Sequence, residues 1–323
     1  MRLHARIKAA FAGTSRSAGP ALVPVAATLA RPEGVRHYLV AVPPAASSTL
    51  RPLVIVLHGA GASARQVLGL AFPPSPLSVF LEIAARDDAV VIAPDAGKGG
   101  WSDCFAPAAR VAAKDDVAFV AALIDHAVAA HGVDPGRVYV AGVSRGGWMT
   151  YRLMATIPHR LAACAVVLAG MPPPGHPGLP AVPLPLLVAG CTADPMIPYR
   201  GGKHWYAPSL VPAVRGIEDT ARFWRELAGL ADAPVCTAIS PTDPRGRTRA
   251  FRFVWGERAD GMQVALLRID GAGHAEPSRL KRYPGLFAAF PGRQNGDVEI
   301  AEVAWTFLRD KRAGMHRLPP RRE

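Results

Sequence analysis

Five short apolar runs, each followed by a turn and most by a helical stretch, restrict the fold more than any other feature of this chain. Leu53-Val-Ile-Val-Leu57, Ala89-Val-Val-Ile-Ala93, Val138-Tyr-Val-Ala141, Ala163 to Leu168 and Leu186 to Ala189 carry no charge. Runs that are continuously apolar rather than alternating are what a parallel sheet covered on both faces requires. Helical patterns lie between them: Pro76 to Arg86, a stripe at Val117, Val120, Ile124 and Val128, a segment from Ser144 to about Ile157, and Ile217, Ala221, Trp224 and Leu227. Val35 to Val42 alternates like a half-buried strand, Phe251 to Trp255 and Val264 to Ile269 read as strands, and Val298, Ala301, Val303 and Phe307 mark a last helix. Strands alternating with helices imply right-handed crossovers, so the expected fold is α/β, a mostly parallel sheet covered by helices on both faces. We expect one domain over 34–312, a poorly ordered N-terminal extension over 1–33 and a basic tail over 313–323.

The formal charge of +12 raises a nucleic-acid reading, and its distribution argues against one. Arg2, Arg6, Lys8 and Arg16 stand without an acid at the start, and residues 309–323 hold six cations against two acids. Two thirds of the excess therefore sits at the ends, read as solvated termini, and no nucleic-acid motif accompanies it. No stretch of eighteen apolar residues is free of proline or charge, so an integral membrane segment is not expected. Cys104, Cys164, Cys191 and Cys236 lack metal-ligand spacing; Cys164 reads as a core residue, and the pairing of the four stays open. Neither a metal nor a cofactor is expected. Pro20 and Pro24 interrupt the loosely apolar Ala18 to Ala30, a weak signal-peptide region that leaves the compartment open.

The chemistry enters with Gly142-Val143-Ser144-Arg145-Gly146, directly after the strand Val138 to Ala141. A strand that turns at once into a helix strains the turning residue and lets small neighbours pass close by. The hydroxyl then stands above the sheet, with the first N–H groups of the helix aimed at whatever it attacks. A serine hydroxyl needs a base, the base an orienting acid, and the tetrahedral intermediate N–H donors. His204, His274 and His316 follow at sufficient distance; His274, in Gly271-Ala272-Gly273-His274 off the end of a strand, is the expected base, its glycines letting the ring swing over the nucleophile. Asp194, after the strand Leu186 to Ala189, is the expected acid, with Asp270 the alternative and Asp219 assigned to a helix. The oxyanion donors are expected at Arg145 and in His58-Gly59-Ala60-Gly61, Ala60 first and Gly61 next. His58 reads as a packing residue. Trp101, in a glycine-rich loop, and Tyr199 are read with Gly61 as substrate contacts, whereas core packing weighs evenly for Trp148.

Six stretches in order resemble one family. They are Leu57-His-Gly-Ala-Gly-Ala-Ser-Ala64, Pro94 to Cys104, Gly132-Val-Asp-Pro-Gly-Arg-Val-Tyr-Val140, Gly142-Val-Ser-Arg-Gly-Gly147, Thr192 to Gly202 and Gly271-Ala-Gly-His274. They look like the motifs of the polyhydroxybutyrate depolymerase and feruloyl esterase family of α/β-hydrolases. The resemblance runs from about residue 35 to 310. It implies an α/β-hydrolase fold and a secreted or cellular serine esterase with the triad Ser144, Asp194 and His274, acting on a small-molecule or polymeric ester. One departure stands out: Ala275-Glu276-Pro277-Ser278 replaces the family's aromatic residue and glycine, which sets an acid beside the site and favours soluble short-chain or aryl esters over the polymer. The rival readings are a serine peptidase of the same fold and a non-catalytic binding protein.

Overall fold

The computed structural model describes residues 21–44, 49–203, 213–284 and 291–314. The strands are β1 (Val25–Arg31), β2 (Gly34–Ala41), β3 (Arg51–Leu57), β4 (Val90–Pro94), β5 (Val133–Val143), β6 (Ala163–Val167), β7 (Leu186–Cys191), the two-residue β8 (Gly201–Gly202) and β9 (Val214–Arg215), β10 (Val235–Ile239), β11 (Arg249–Trp255) and β12 (Val264–Asp270). The helices are α1 (Ala64–Val67), α2 (Phe80–Asp87), α3 (Ala108–Ala113), α4 (Asp116–His131), α5 (Arg145–Thr156), α6 (Ile217–Leu227) and α7 (Ile300–Leu308).

Ten of the described strands form one sheet in the order β1-β2-β4-β3-β5-β6-β7-β12-β11-β10. The six strands from β4 to β12 pair in parallel, and two antiparallel strands close each end. The expected parallel sheet is thus the centre of a mixed one. The apolar runs supply that centre because both faces are covered: Val54 and Val56 of β3 enter one core cluster, Leu53, Ile55 and Leu57 the other. The first cluster takes in α2 and α7, the second α4, α5 and α6. Asp115 caps α4 by accepting the Ala118 N–H at 3.0 Å, and Gly132, at φ 63°, ends it in the left-handed conformation that glycine adopts without a Cβ clash.

Two strands of this sheet were not anticipated. The expected extension over 1–33 is corrected at its end, where β1 pairs β2 along its whole length through a tight turn into Gly34 at φ 125°. β10 pairs β11 at the other edge, and most of its residues are exposed. Both are edge strands with one solvated side, which leaves little hydrophobic signal to read. Residues 1–20 and 315–323, with His316, lie outside the described residues, as does His204.

Lys311 is fully buried after α7, its Nζ donating to the Ala259 carbonyl and, at 2.8 Å, to Gln263 Oε1, above the Phe307 ring. Burial pushes its pKa down from 10.5 to about 8. Between those values the unfolded chain holds a proton that the folded chain has released, so this residue's contribution to stability rises with pH across that window and is least favourable below it. Chemical denaturation of wild type and Lys311→Met at pH 7.5 and 10.5 should therefore show the wild type gaining on the variant by roughly 1 to 3 kcal/mol. A constant difference would mean that Lys311 titrates as it does in water.

Candidate active site

β5 delivers Ser144 at φ 54° and ψ −118°, a conformation costly for a residue with a side chain and held by its surroundings. Its N–H donates to the Val167 carbonyl of β6 at 2.8 Å, and its own carbonyl accepts Gly147 N–H at 2.8 Å to start α5. The flanking glycines are needed for space. A Cβ on Gly142 would lie 2.3 Å from the Gly146 carbonyl oxygen, and one on Gly146 would lie 2.2 Å from that of Leu57. Gly146→Ala should therefore cost about 3 kcal/mol or more, seen as a large fall in melting temperature or as insoluble protein. A variant that melts within a degree or two of wild type would refute this account of the turn.

His274 reaches the serine from the loop after β12. Its Nε2 lies 3.0 Å from Ser144 Oγ, and its Nδ1 lies 2.7 Å from Asp194 Oδ2. Asp194 Oδ1 accepts the N–H groups of Met196 at 2.7 Å and Ile197 at 2.8 Å, so the carboxylate is fixed at both oxygens. Both side chains are nearly shielded from water, at 10% and 2% exposure. Asp270, the alternative acid, instead pairs with Arg268 at 3.1 Å. The glycines before His274 have a different purpose from the one expected: a Cβ on Gly273 would meet the Pro291 carbonyl oxygen at 2.0 Å, and one on Gly271 would meet that of Arg247 at 2.5 Å. They let this loop lie against two others, and the Gly273 and His274 N–H groups donate to the carbonyls of Arg293 and Pro291.

The loop after β3 flanks Ser144, since a Cβ on Gly59 would sit 3.5 Å from Ser144 Cβ. Ala60 and Gly61 are exposed beside it, and the N–H of Arg145 opens α5 directly after the serine. Buried His58 is built into the scaffold: its Nδ1 lies 2.8 Å from the Gly59 carbonyl and its Nε2 accepts Ala96 N–H at 3.1 Å. Burial pushes this imidazole below its usual pKa, and accepting at Nε2 requires the neutral ring.

Two expectations about the substrate wall, those for Trp101 and Glu276, are corrected. Trp101 is buried, its indole N–H donates to the His58 carbonyl at 2.9 Å, and its ring packs on the His58 imidazole with centroids 4.8 Å apart. It is a core residue beneath the loop. Tyr199 is half-buried, and its hydroxyl is engaged by Glu218 of α6 at 3.0 Å. Glu276 is buried, accepting Ser75 Oγ at 2.9 Å and Tyr283 hydroxyl at 2.7 Å, so its carboxylate closes a hydrogen-bonded cluster and is not an open charge facing substrate. Trp148 is buried too, donating to the Gly170 carbonyl at 3.2 Å. A different group lies alongside the first turn of α5. The Arg145 side chain bonds Asp103 at 2.7 Å over Gly100, Asp103 also accepts Phe105 N–H, and half-buried Phe105 meets Trp148 edge to face at 4.8 Å. Asp103 falls inside a motif quoted above, but nothing local in the sequence pairs it with an arginine 42 positions away. The four cysteines are free thiols, and no group of three or more potential metal ligands occurs among the described residues.

A family model described as the alpha/beta hydrolase family matches residues 54–290. The chain belongs to that family. NocK of Nocardia uniformis subsp. tsuyamanensis, named as an esterase, is 31% identical over 80% of this chain and 74% of its own length. Feruloyl esterase B of Piromyces equi is 26% identical over 70% of this chain, which spans 40% of that longer protein. Among solved structures, the acetyl xylan esterase from Aspergillus awamori superposes with a TM-score of 0.51 at 15% identity, covering 82% of this chain and 98% of that one, a likeness of fold. The α/β-hydrolase is thus placed among the carboxylic ester hydrolases, the class its sequence motifs imply. No helix of its described residues is long and apolar enough to cross a membrane.

Proposed function

We propose that this α/β-hydrolase is a serine esterase working through an acyl-enzyme, with Ser144 as nucleophile, His274 as base and Asp194 as orienting acid. The observation that carries this reading is the unbroken line Ser144 Oγ, His274 Nε2, His274 Nδ1, Asp194 Oδ2, with contacts of 3.0 and 2.7 Å. With Nδ1–H donated to Asp194, Nε2 is free to take the serine proton as Oγ attacks the ester carbonyl. The developing oxyanion is received by the N–H groups of Arg145 and Ala60. The imidazolium returns its proton to the departing alcohol, and water, activated at the same Nε2, then releases the acid and restores Ser144.

The substrates we infer are soluble short-chain or aryl esters. With Trp101 and Glu276 built into the scaffold, this preference rests on Phe105, a half-buried aromatic that the Asp103–Arg145 pair holds beside the nucleophile's helix. The feruloyl esterase name of one relative points the same way. A screen of p-nitrophenyl acetate and butyrate, methyl ferulate and polyhydroxybutyrate films tests it. Hydrolysis of the small esters exceeding film clearance is the expected result; clearance of films without hydrolysis of p-nitrophenyl esters would overturn the preference.

A further inference from the structure

A cavity of about 650 Å³ opens behind the loop that carries His274, and neither the triad nor the oxyanion loop contributes to its wall. Arg247, Arg279, Arg282 and Arg293 line it, against two carboxylates, Asp243 and Asp297. Asp297 is committed within the wall: it accepts Thr242 N–H at 2.7 Å, Thr242 Oγ1 at 2.8 Å and Asn295 Nδ2 at 2.9 Å. Arg282 is held against the main chain, donating to the carbonyls of Ser278 at 3.0 Å and Gln294 at 3.1 Å. The guanidinium groups of Arg247 and Arg293 make no hydrogen bond or ion pair with the described residues, and Arg279 sets its charge near Glu299, whose carboxylate its main-chain N–H meets at 3.1 Å. All four arginines are exposed.

Elsewhere this protein pairs its arginines readily, Arg86 with Asp87 and Glu302, Arg225 with Asp232, and Arg258 with Asp260. The wall of this cavity thus carries four arginines against two carboxylates, of which Asp297 is already engaged, and the planar fork of a guanidinium without a partner suits an oxyanion with two or more charges. We infer that this cavity is a binding site for a small polyanion, bearing either phosphoryl groups or several carboxylates, separate from the catalytic centre. Its size suits a ligand of nucleotide or citrate dimensions. The wall also borders the catalytic loop, since the carbonyl of Arg293 holds Gly273 N–H at 2.8 Å.

Titration calorimetry of the full chain with pyrophosphate, and in a second arm with citrate, tests the site without reference to turnover. Ser144→Ala should bind as wild type does, so an error in the proposed esterase mechanism leaves this result untouched. The expected outcome is one site per chain, with Arg247→Ala combined with Arg279→Ala weakening it about tenfold or more. Arg258→Ala, an exposed arginine elsewhere, should leave it unchanged. Tighter binding of pyrophosphate or of citrate assigns the phosphoryl or the carboxylate source. Should the double alanine variant fail to fold, Arg247→Lys with Arg279→Lys carries the test, and a severalfold loss is expected because charge remains but the fork is gone. Heats equal to those of sodium chloride at matched ionic strength, or affinities unchanged in a folded variant, would overturn the inference.

Discussion

Ser144→Ala lowers kcat/KM for p-nitrophenyl esters by about 10⁴ to 10⁶-fold, the loss met when the nucleophile of such a unit is removed. The folded protein should be little altered, because the strained backbone at φ 54° is held by the Ser144 N–H bond to Val167 and by the glycine contacts, none of which uses the hydroxyl. A fluorophosphonate probe should mark Ser144 in wild type and nothing in the variant, read by mass spectrometry of the peptides. Near-normal turnover in a correctly folded Ser144→Ala protein, or labelling at another serine, would remove the mechanism.

Asp194→Asn should lower kcat by about 10⁴-fold with small change in KM, because the amide can still accept from Met196 and Ile197 through its oxygen but turns an N–H donor toward His274. That partner favours the tautomer with the proton on Nε2, which cannot act as a base toward Ser144. Asp270→Asn should stay within a few-fold of wild type, since Asp270 faces Arg268. The two variants measured side by side decide between the acids; a dead Asp270→Asn beside an active Asp194→Asn would transfer the role.

The strands at the centre of the sheet were legible because both their faces are buried, which writes an unbroken apolar run into the sequence. β1 and β10 were not, since an edge strand with one wet side writes almost nothing. Ser144, Asp194 and His274, the proposed triad, stood out for a related reason: each lies just past the carboxyl end of a central strand. Side chains beyond them were misread wherever the partner is remote. Glu276 meets a serine 201 positions away, and Trp101, in a loop whose glycines at 97, 99 and 100 suggest a surface, folds its indole inward onto His58. Composition tells that a loop is flexible in φ, but not which of its side chains turns under.

The strands that carry the proposed acid and base are neighbours. β7 and β12 pair in parallel with Cys191 opposite Ile269, and Thr192 and Ala193 continue the bonding into the loops through the Ile269 and Ala272 carbonyls. The separation of Asp194 from His274 is therefore set by the spacing of two adjacent strands, about 4.8 Å, while Ser144 sits at the end of β5, two strands beyond β7. For an engineer this divides the molecule into interchangeable and fixed parts. The turn between β1 and β2, at the far edge of the sheet, can be swapped or lengthened without retuning the proposed proton relay, whereas any change that slides β12 along β7 by one residue would disconnect it.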